Sequence, residues 1–441
     1  MQGELPTKAS GLRKWRTACL MVTILIALLL TLRLAVDSSF TTIGMLREGG
    51  VTTGNLMASP EGRESSSSLL ADTAFEEILT RGAPILGNDA NCHRGAPTCS
   101  WMAKIPDSTK LIHMNLPGTH DTATWNYTEA RQKELLRYTG EIPPAHFFRC
   151  QQSSIFQMLN DGIRVFDLRY AYNPGNDTIG FYHSRALLAP TTTLIDVLYG
   201  YYAWLERHPT ETILLSLNHE GNTGTVEDER IQEMVLDIFS KPTNEDTLVN
   251  KMKRRFWIQK RGELGTLGES RGKIILLQRF SYRLLNPPPE VPRLHGLDLG
   301  ADRWTDNGDD IHLVYNPESG ATAFIEDRYA ITLPPSATPS TDAYISTKFN
   351  ATTTHLEKAA GPDAQTADQL FITFASAAFL QDPTEGFYMY PRLYAVGEGN
   401  TPGMNERLLH YFEQRKGQRF GVIMLDFYDA VPGLVETILG A

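Results

Sequence analysis

Residues 194–217 read LIDVLYGYYAWLERHPTETILLSL, and two periods in this stretch decide the fold class. Leu194, Val197, Leu198, Tyr201, Tyr202 and Leu205 recur at the spacing that lines one face of a helix, and His208-Pro209 stops it. Thr212 to Leu217 then predicts a strand without a gap. Upstream, Ile179 to His183 predicts another, so strand, helix and strand follow one another as in a βαβ unit.

Working outward, strands are expected around residues 112, 163 and 212, and over 273–277, 324–329, 370–374 and 421–427, separated by helical or loop-rich stretches. A short helix is expected over 151–160. Seven or eight such strands predict an α/β fold, an irregular TIM-type (β/α)8 barrel. The Pro-rich loops 286–293 and 333–341 are expected to wall a cleft.

The chain is long enough, at 441 residues and 41% hydrophobic, for one large core or two ordinary ones. A formal charge of -10 argues against a general nucleic-acid surface, which needs cations to neutralise phosphates. Residues 1–17 are polar and basic, and 18–36 form the apolar run ACLMVTILIALLLTLRLAV. This run has the length of a membrane-spanning helix and a positive N-terminal flank. It is expected to be a transmembrane signal anchor behind a short cytoplasmic tail, giving a single-pass type II membrane protein; a cleaved signal peptide is the alternative. Residues 37–75, rich in Ser, Thr and Gly, are expected to form a flexible stalk, with a catalytic barrel over 76–441 that is lumenal or extracellular.

Three sequons, at Asn126, Asn176 and Asn350, are candidate glycosylation sites consistent with export. Four cysteines cannot build a scaffold in a chain this long. Cys92 and Cys99 bracket a short loop and are the expected disulfide in an oxidising compartment; a bridge from Cys150 to one of them is the competing assignment. The loop contains His93-Arg94-Gly95, similar to the opening motif of glycerophosphodiester phosphodiesterases. No buried strand precedes it and the acidic ligands that should follow are missing, so it reads as a turn.

Polar groups that an apolar core would reject cluster at four predicted strand ends. LIHMNLPGTHD, residues 111–121, predicts a buried strand ended by Pro117-Gly118, with His120 and Asp121 on the loop beyond. GIRVFDLRY, residues 162–170, carries Asp167 and Arg169 on one side. The strand 179–183 ends in His183, and GVIMLDF carries Asp426. Two imidazoles can divide the roles of base and acid, carboxylates can orient them, and arginine can hold a phosphoryl oxygen.

At these residues the chain resembles the X-type catalytic domain of phosphatidylinositol-specific phospholipase C, and more closely its bacterial, metal-independent members. The matching runs are LPGTHD at 116–121, QMLNDGIRVFDLR at 157–169, FYHS at 181–184 and HPTETILLSLNHE at 208–220, followed by RGKIILLQRF at 271–280, Asp327-Arg328-Tyr329 and MLDF at 424–427. The resemblance implies that His120, oriented by Asp426, is the base that takes the proton of the inositol 2-hydroxyl. His183, coupled to Asp121, would be the acid that protonates the diacylglycerol oxygen. Arg169, positioned by Asp167, would stabilise the phosphoryl oxygens. Arg279, Asp327 and Tyr329 match inositol-contacting positions, whereas the lysine expected near Asn218 is absent.

The resemblance also implies no metal and no cofactor, because the acidic positions of calcium-dependent relatives are occupied here by Arg169 and Asn218; a shifted alignment onto Glu220 would restore a ligand. The implied substrate is an inositol phospholipid or a glycosylphosphatidylinositol-type lipid at a membrane. A catalytically silent inositol-lipid-binding barrel is a second reading. A metal-dependent phosphodiesterase of glycerophosphodiesterase or sphingomyelinase D type is a third.

Overall fold

The computed structural model describes residues 61–92, 98–361, 363, 365–380 and 388–440. The chain divides into two compact units, Met1–Leu69 and Leu70–Ala441, and every candidate site residue belongs to the second. Its principal strands are β1 (Leu116–Thr119), β2 (Val165–Tyr172), β3 (Ile179–His183), β4 (Ala186–Leu187), β5 (Thr212–His219), β6 (Lys273–Arg279), β7 (Leu297–Asp298), β8 (Ile311–Asn316), β9 (Ala321–Glu326), β10 (Leu370–Phe374) and β11 (Val422–Leu425). They pair in the order β7-β6-β5-β2-β1-β11-β10-β9-β8. Every pairing along that path is parallel except that of β8 with β9. The result is a TIM-type barrel, open between the two end strands β7 and β8, with β8 antiparallel to β9. β3 lies antiparallel on β2 and carries β4.

The strands are buried on both faces, as parallel strands between a lumen and a helix layer must be. Val165, Leu214, Ile275 and Met424 join the lumen cluster, while Phe166, Leu215, Leu276 and Ile423 pack under the helices. This explains why the apolar residues of 162–170 keep no single parity. It also places Asp167 and Arg169 on the lumen side with Val165, by the two-residue period of a strand. Register then sets Arg169, Asn218 and Arg279 side by side at one level across β2, β5 and β6.

The helix Leu194–Arg207 forms where the apolar spacing puts it, with a capping box between Thr193 and Asp196 at its start. β1 differs from expectation. Leu111–His113 is a single 3-10 turn, and Pro117-Gly118 lies inside the strand rather than ending it. A Cβ on Gly118 would lie 2.5 Å from Met424 Sδ and 2.9 Å from Val165 Cβ, so the glycine is there to let β2 and β11 close on β1. The proline offers its carbonyl to Arg164 N–H, and on the other side the N–H groups of Leu116 and His120 donate to the carbonyls of Gly421 and Leu425.

The expectation of a membrane-spanning anchor, and of a single-pass membrane localisation resting on it, is corrected: no helix among the described residues is long and apolar enough to cross a membrane. The stretch 18–36 on which the anchor was placed lies outside the described residues, as does the tail 1–17. Part of the expected stalk is helical, since one helix runs over Glu61–Leu86 and takes in the Ser65–Ser68 run. Cys92 and Cys99 are bonded, with their Cα atoms 6.1 Å apart, and Cys150 is a free, buried thiol. Asn176 and Asn350 are exposed and Asn126 is half-buried.

Candidate active site

The site lies at the C-terminal ends of the barrel strands, where loops alone vary over a fixed frame. His120 follows β1 directly, and Asp121 turns the chain with a positive φ of 43°. Asp426 follows β11, and the next residue, Phe427, takes the same left-handed conformation. Two such turns on adjacent strands bring side chains distant in sequence into contact. Asn405 holds the second turn by donating to the carbonyls of Asp426 and Phe427, and Gln151 spans both by donating to those of His120 and Leu425.

His120 Nδ1 donates to Asp426 Oδ1 at 2.8 Å, which fixes the tautomer. Arg169 Nη2 donates to His120 Nε2 at 2.7 Å, so in this arrangement the ring is neutral and Nε2 carries a lone pair. Burial opposes charging this imidazole, but the carboxylates of Asp426 and Asp121 outweigh burial and raise its pKa to about 9. Nε2 is therefore a strong base held in check by one guanidinium. Burial also pushes the Asp426 carboxyl up, although His120 draws it back.

Arg169 is the centre of the charge network. Its Nε lies 3.0 Å from Asp121 Oδ1 and 3.2 Å from Asp167 Oδ2, and its Nη1 lies 3.6 Å from Glu220 Oε2. Against the cost of burial, these carboxylates hold its pKa well above the ordinary value. Asp167, fully buried, accepts from Asp121 N–H and faces both Arg169 and Arg279, which hold it ionised below its usual range despite burial. His183 Nδ1 donates to the Phe148 carbonyl at 2.7 Å and lies 3.4 Å from Asp121 Oδ2, so Nε2 is the nitrogen that gains a proton in the imidazolium form and gives it up again. The two imidazole centres are 6.4 Å apart and nearly perpendicular.

The candidate substrate-binding residues form a second group. The Arg279 guanidinium lies 3.9 Å over the Trp304 ring and 5.6 Å from that of Phe374. Its Nη1 is 3.4 Å from Asp167 Oδ1 and its Nη2 is 3.8 Å from Asp327 Oδ2. Asp327 accepts from Trp304 Nε1 at 2.9 Å, and the half-exposed Tyr329 donates to Asp306 Oδ1 at 2.8 Å. The loop bearing Asp327 and Tyr329 is held from below: Lys348 donates to Glu326 Oε1 and to the Arg328 carbonyl, in a pair with both side chains fully buried. Lys348→Met leaves Glu326 uncompensated in the interior, and the expected loss is about 3–5 kcal/mol of unfolding free energy. Urea denaturation checks this; a change below about 1 kcal/mol would mean that the pair does not hold the loop.

All six predicted catalytic residues thus meet in one network, and all three predicted binding residues stand beside it. Sequence reading missed Trp304, Asp306 and Gln151, and named Glu220 only as a stray ligand. Trp304 and Asp306 lie in a loop-rich stretch with no apolar period, Gln151 stands at the start of the expected short helix with nothing to mark it as a site residue, and for Glu220 the signal was its closeness to the end of β5. Two groups could offer ligands to a metal here: Asp121, Cys150 and His183, and His120, Cys150 and Asp426. Both histidine Nδ1 atoms are committed, to Phe148 and Asp426, and Arg169 already supplies a cation against Asp121. The arrangement suits proton transfer at two points around an anion.

Residues 145–280 match the family model described as phosphatidylinositol-specific phospholipase C, X domain. The 1-phosphatidylinositol phosphodiesterase of Listeria monocytogenes is 30% identical over 232 residues, 52% of this chain and 62% of that protein. PI-PLC X domain-containing protein 1 of Mus musculus is 26% identical over 177 residues, 35% of this chain and 49% of that protein. The chain thus spans about half to three fifths of the length of these relatives. Among solved structures, a phosphatidylinositol-specific phospholipase C of Staphylococcus aureus superposes with a TM-score of 0.55 at 20% identity, covering 78% of this chain and 97% of that one, which shows a shared fold.

Proposed function

We propose that this chain, which belongs over residues 145–280 to the family of phosphatidylinositol-specific phospholipase C X domains, cleaves inositol phospholipids or glycosylphosphatidylinositol-type lipids at the phosphodiester. The observation that carries the reading is the unbroken run of contacts from Asp426 through His120 to Arg169 and on to Asp121 and His183. His120 Nε2 takes the proton of the inositol 2-hydroxyl, and the alkoxide oxygen bonds to phosphorus. The bond from phosphorus to the diacylglycerol oxygen breaks, and that oxygen receives the Nε2 proton of His183, which enters the step as the imidazolium and leaves it neutral. The products are a cyclic inositol phosphodiester and diacylglycerol.

Arg169 connects the two halves of the reaction. An anionic phosphoryl oxygen draws the guanidinium from His120 Nε2, so phosphate binding releases the base at the moment it is needed. Holding attacking hydroxyl and phosphorus within one substrate supplies the proximity that a separate water would lack. Arg279, Asp327 and Tyr329 bind the inositol ring, with Trp304 and Asp306 fixing their positions.

The test is release of diacylglycerol from phosphatidylinositol micelles by the full chain in the presence of a metal chelator. The expected outcome is turnover unchanged, within about twofold, with or without the chelator, because the cationic role falls to Arg169. Abolition by chelator and recovery with calcium would overturn the arginine-based mechanism; no release from phosphatidylinositol, or from a glycosylphosphatidylinositol-type lipid offered in its place, would favour a binding protein.

A further inference from the structure

At the opposite end of the barrel from the catalytic loops, the Cys92–Cys99 bridge sits against the C-terminal end of the helix Leu194–Arg207. His208 caps that helix, and its ring stacks on Trp204 with centroids 4.1 Å apart. Its Nδ1 donates to the Trp204 carbonyl at 2.8 Å, and since a carbonyl only accepts, the tautomer is fixed. The other nitrogen, Nε2, lies 3.0 Å from Cys92 Sγ and 3.6 Å from Cys99 Sγ.

A second acceptor faces the same sulfurs. Asn160 Oδ1 lies 3.6 Å from each, with its orientation set because it accepts from Trp204 Nε1 and its amide donates to the Asn91 carbonyl. A disulfide has no proton to give either group. Two thiols, or a cation between them, would satisfy both. Tetrahedral zinc with bonds of about 2.3 Å to sulfur and about 2.0–2.1 Å to nitrogen separates its ligands by roughly 3.3–3.8 Å; Asn160 Oδ1 already stands 3.6 Å from both sulfurs and His208 Nε2 3.6 Å from Cys99 Sγ, while the two bonded sulfurs must part on reduction to reach that spacing. The backbone around the site is anchored independently of the bridge, because the buried Arg164 donates to the Cys99 carbonyl while paired with Glu211.

We propose that Cys92, Cys99 and His208 form a zinc site that is closed by the disulfide and opened by reduction. A dithiol reduces the bridge to two thiols and is itself oxidised to its disulfide. Zinc then displaces one proton from each thiol, two protons per ion, and takes the Nε2 lone pair, with the Asn160 oxygen or a water in the fourth position. The bridge and the ion are alternative clips on the same loop, exchanged by the thiol-disulfide poise of the surroundings.

Cobalt(II) titration of the full chain, reduced with a dithiol and then freed of it under nitrogen, tests this. One equivalent is expected to give thiolate-to-cobalt charge-transfer absorption with the strong visible bands of tetrahedral coordination, displaced by zinc. The oxidised chain should show neither. His208→Gln should raise the cobalt dissociation constant more than about a hundredfold, beyond the roughly 10–100-fold effect of losing an outer-shell partner. Cys150→Ser should leave the signal unchanged. No charge-transfer band in the reduced chain, a band that survives Cys92→Ser, or unaltered affinity in His208→Gln would each overturn the proposal.

Discussion

His120→Ala lowers kcat on phosphatidylinositol by about 10³–10⁴-fold while the chain stays folded. The loss is worth about 4–5.5 kcal/mol of transition-state stabilisation at 1.36 kcal/mol per decade. It is this large because Nε2 is the nitrogen base that Arg169 holds among the described residues, and the phosphate engages that arginine. The fold survives because the residue left behind, Asp426, is a carboxyl that burial already pushes towards its protonated form. Steady-state kinetics alongside a thermal melt check both halves. A loss below about tenfold would give the base role to another group.

The same residue sets a pH dependence with a definite sign. With His120 raised from 6.5 to about 9, its free-base fraction grows with pH, so kcat/KM should climb through a limb displaced upward from 6.5 towards 9. Asp426→Asn removes the largest upward pull and should move that limb down while lowering kcat. Stability runs the other way: the contribution from protonated His120 is complete below pH 6.5 and is lost as pH rises through about 9.

His183→Ala should separate the acid from the base. On phosphatidylinositol the leaving diacylglycerol oxygen is a poor leaving group without a proton, and the expected fall in kcat is about 10³-fold. On an inositol phosphate ester of nitrophenol, whose leaving oxygen is stable as an anion, the same variant should fall by less than about tenfold, since general-acid help scales with how badly the proton is needed. His120→Ala should be slow on both. Equal losses for His183→Ala on the two substrates would contradict its role as acid.

What the sequence made legible follows the strength of the local signal. The helix Leu194–Arg207 and strands β5, β6 and β10 stand close to where periodicity puts them, because their apolar runs are long or continuous. β7 is only two residues, too short for any period, and β8 alternates cleanly yet was passed over as part of a loop-rich region. β1 was displaced because Pro117-Gly118 looks like a terminator; what makes it strand is the approach of Met424 and Val165, which no local pattern encodes. Among site residues, Asp167 and Arg169 were legible as two apart on one strand. The contact of Arg169 with His120 and the stacking of Arg279 on Trp304 arise only on barrel closure. The membrane anchor, read from an apolar run and its basic flank at positions outside the described residues, is corrected, since no helix among the described residues is long and apolar enough to cross a membrane.

Phosphorus NMR of the full chain turning over phosphatidylinositol, followed from the first minutes, decides which oxygen attacks phosphorus. Attack by the inositol 2-hydroxyl, drawn by His120, requires a five-membered cyclic phosphodiester as the first water-soluble product, with its distinct downfield resonance. Direct appearance of an acyclic inositol phosphate, with no cyclic species preceding it, would contradict the account and assign the attack to water.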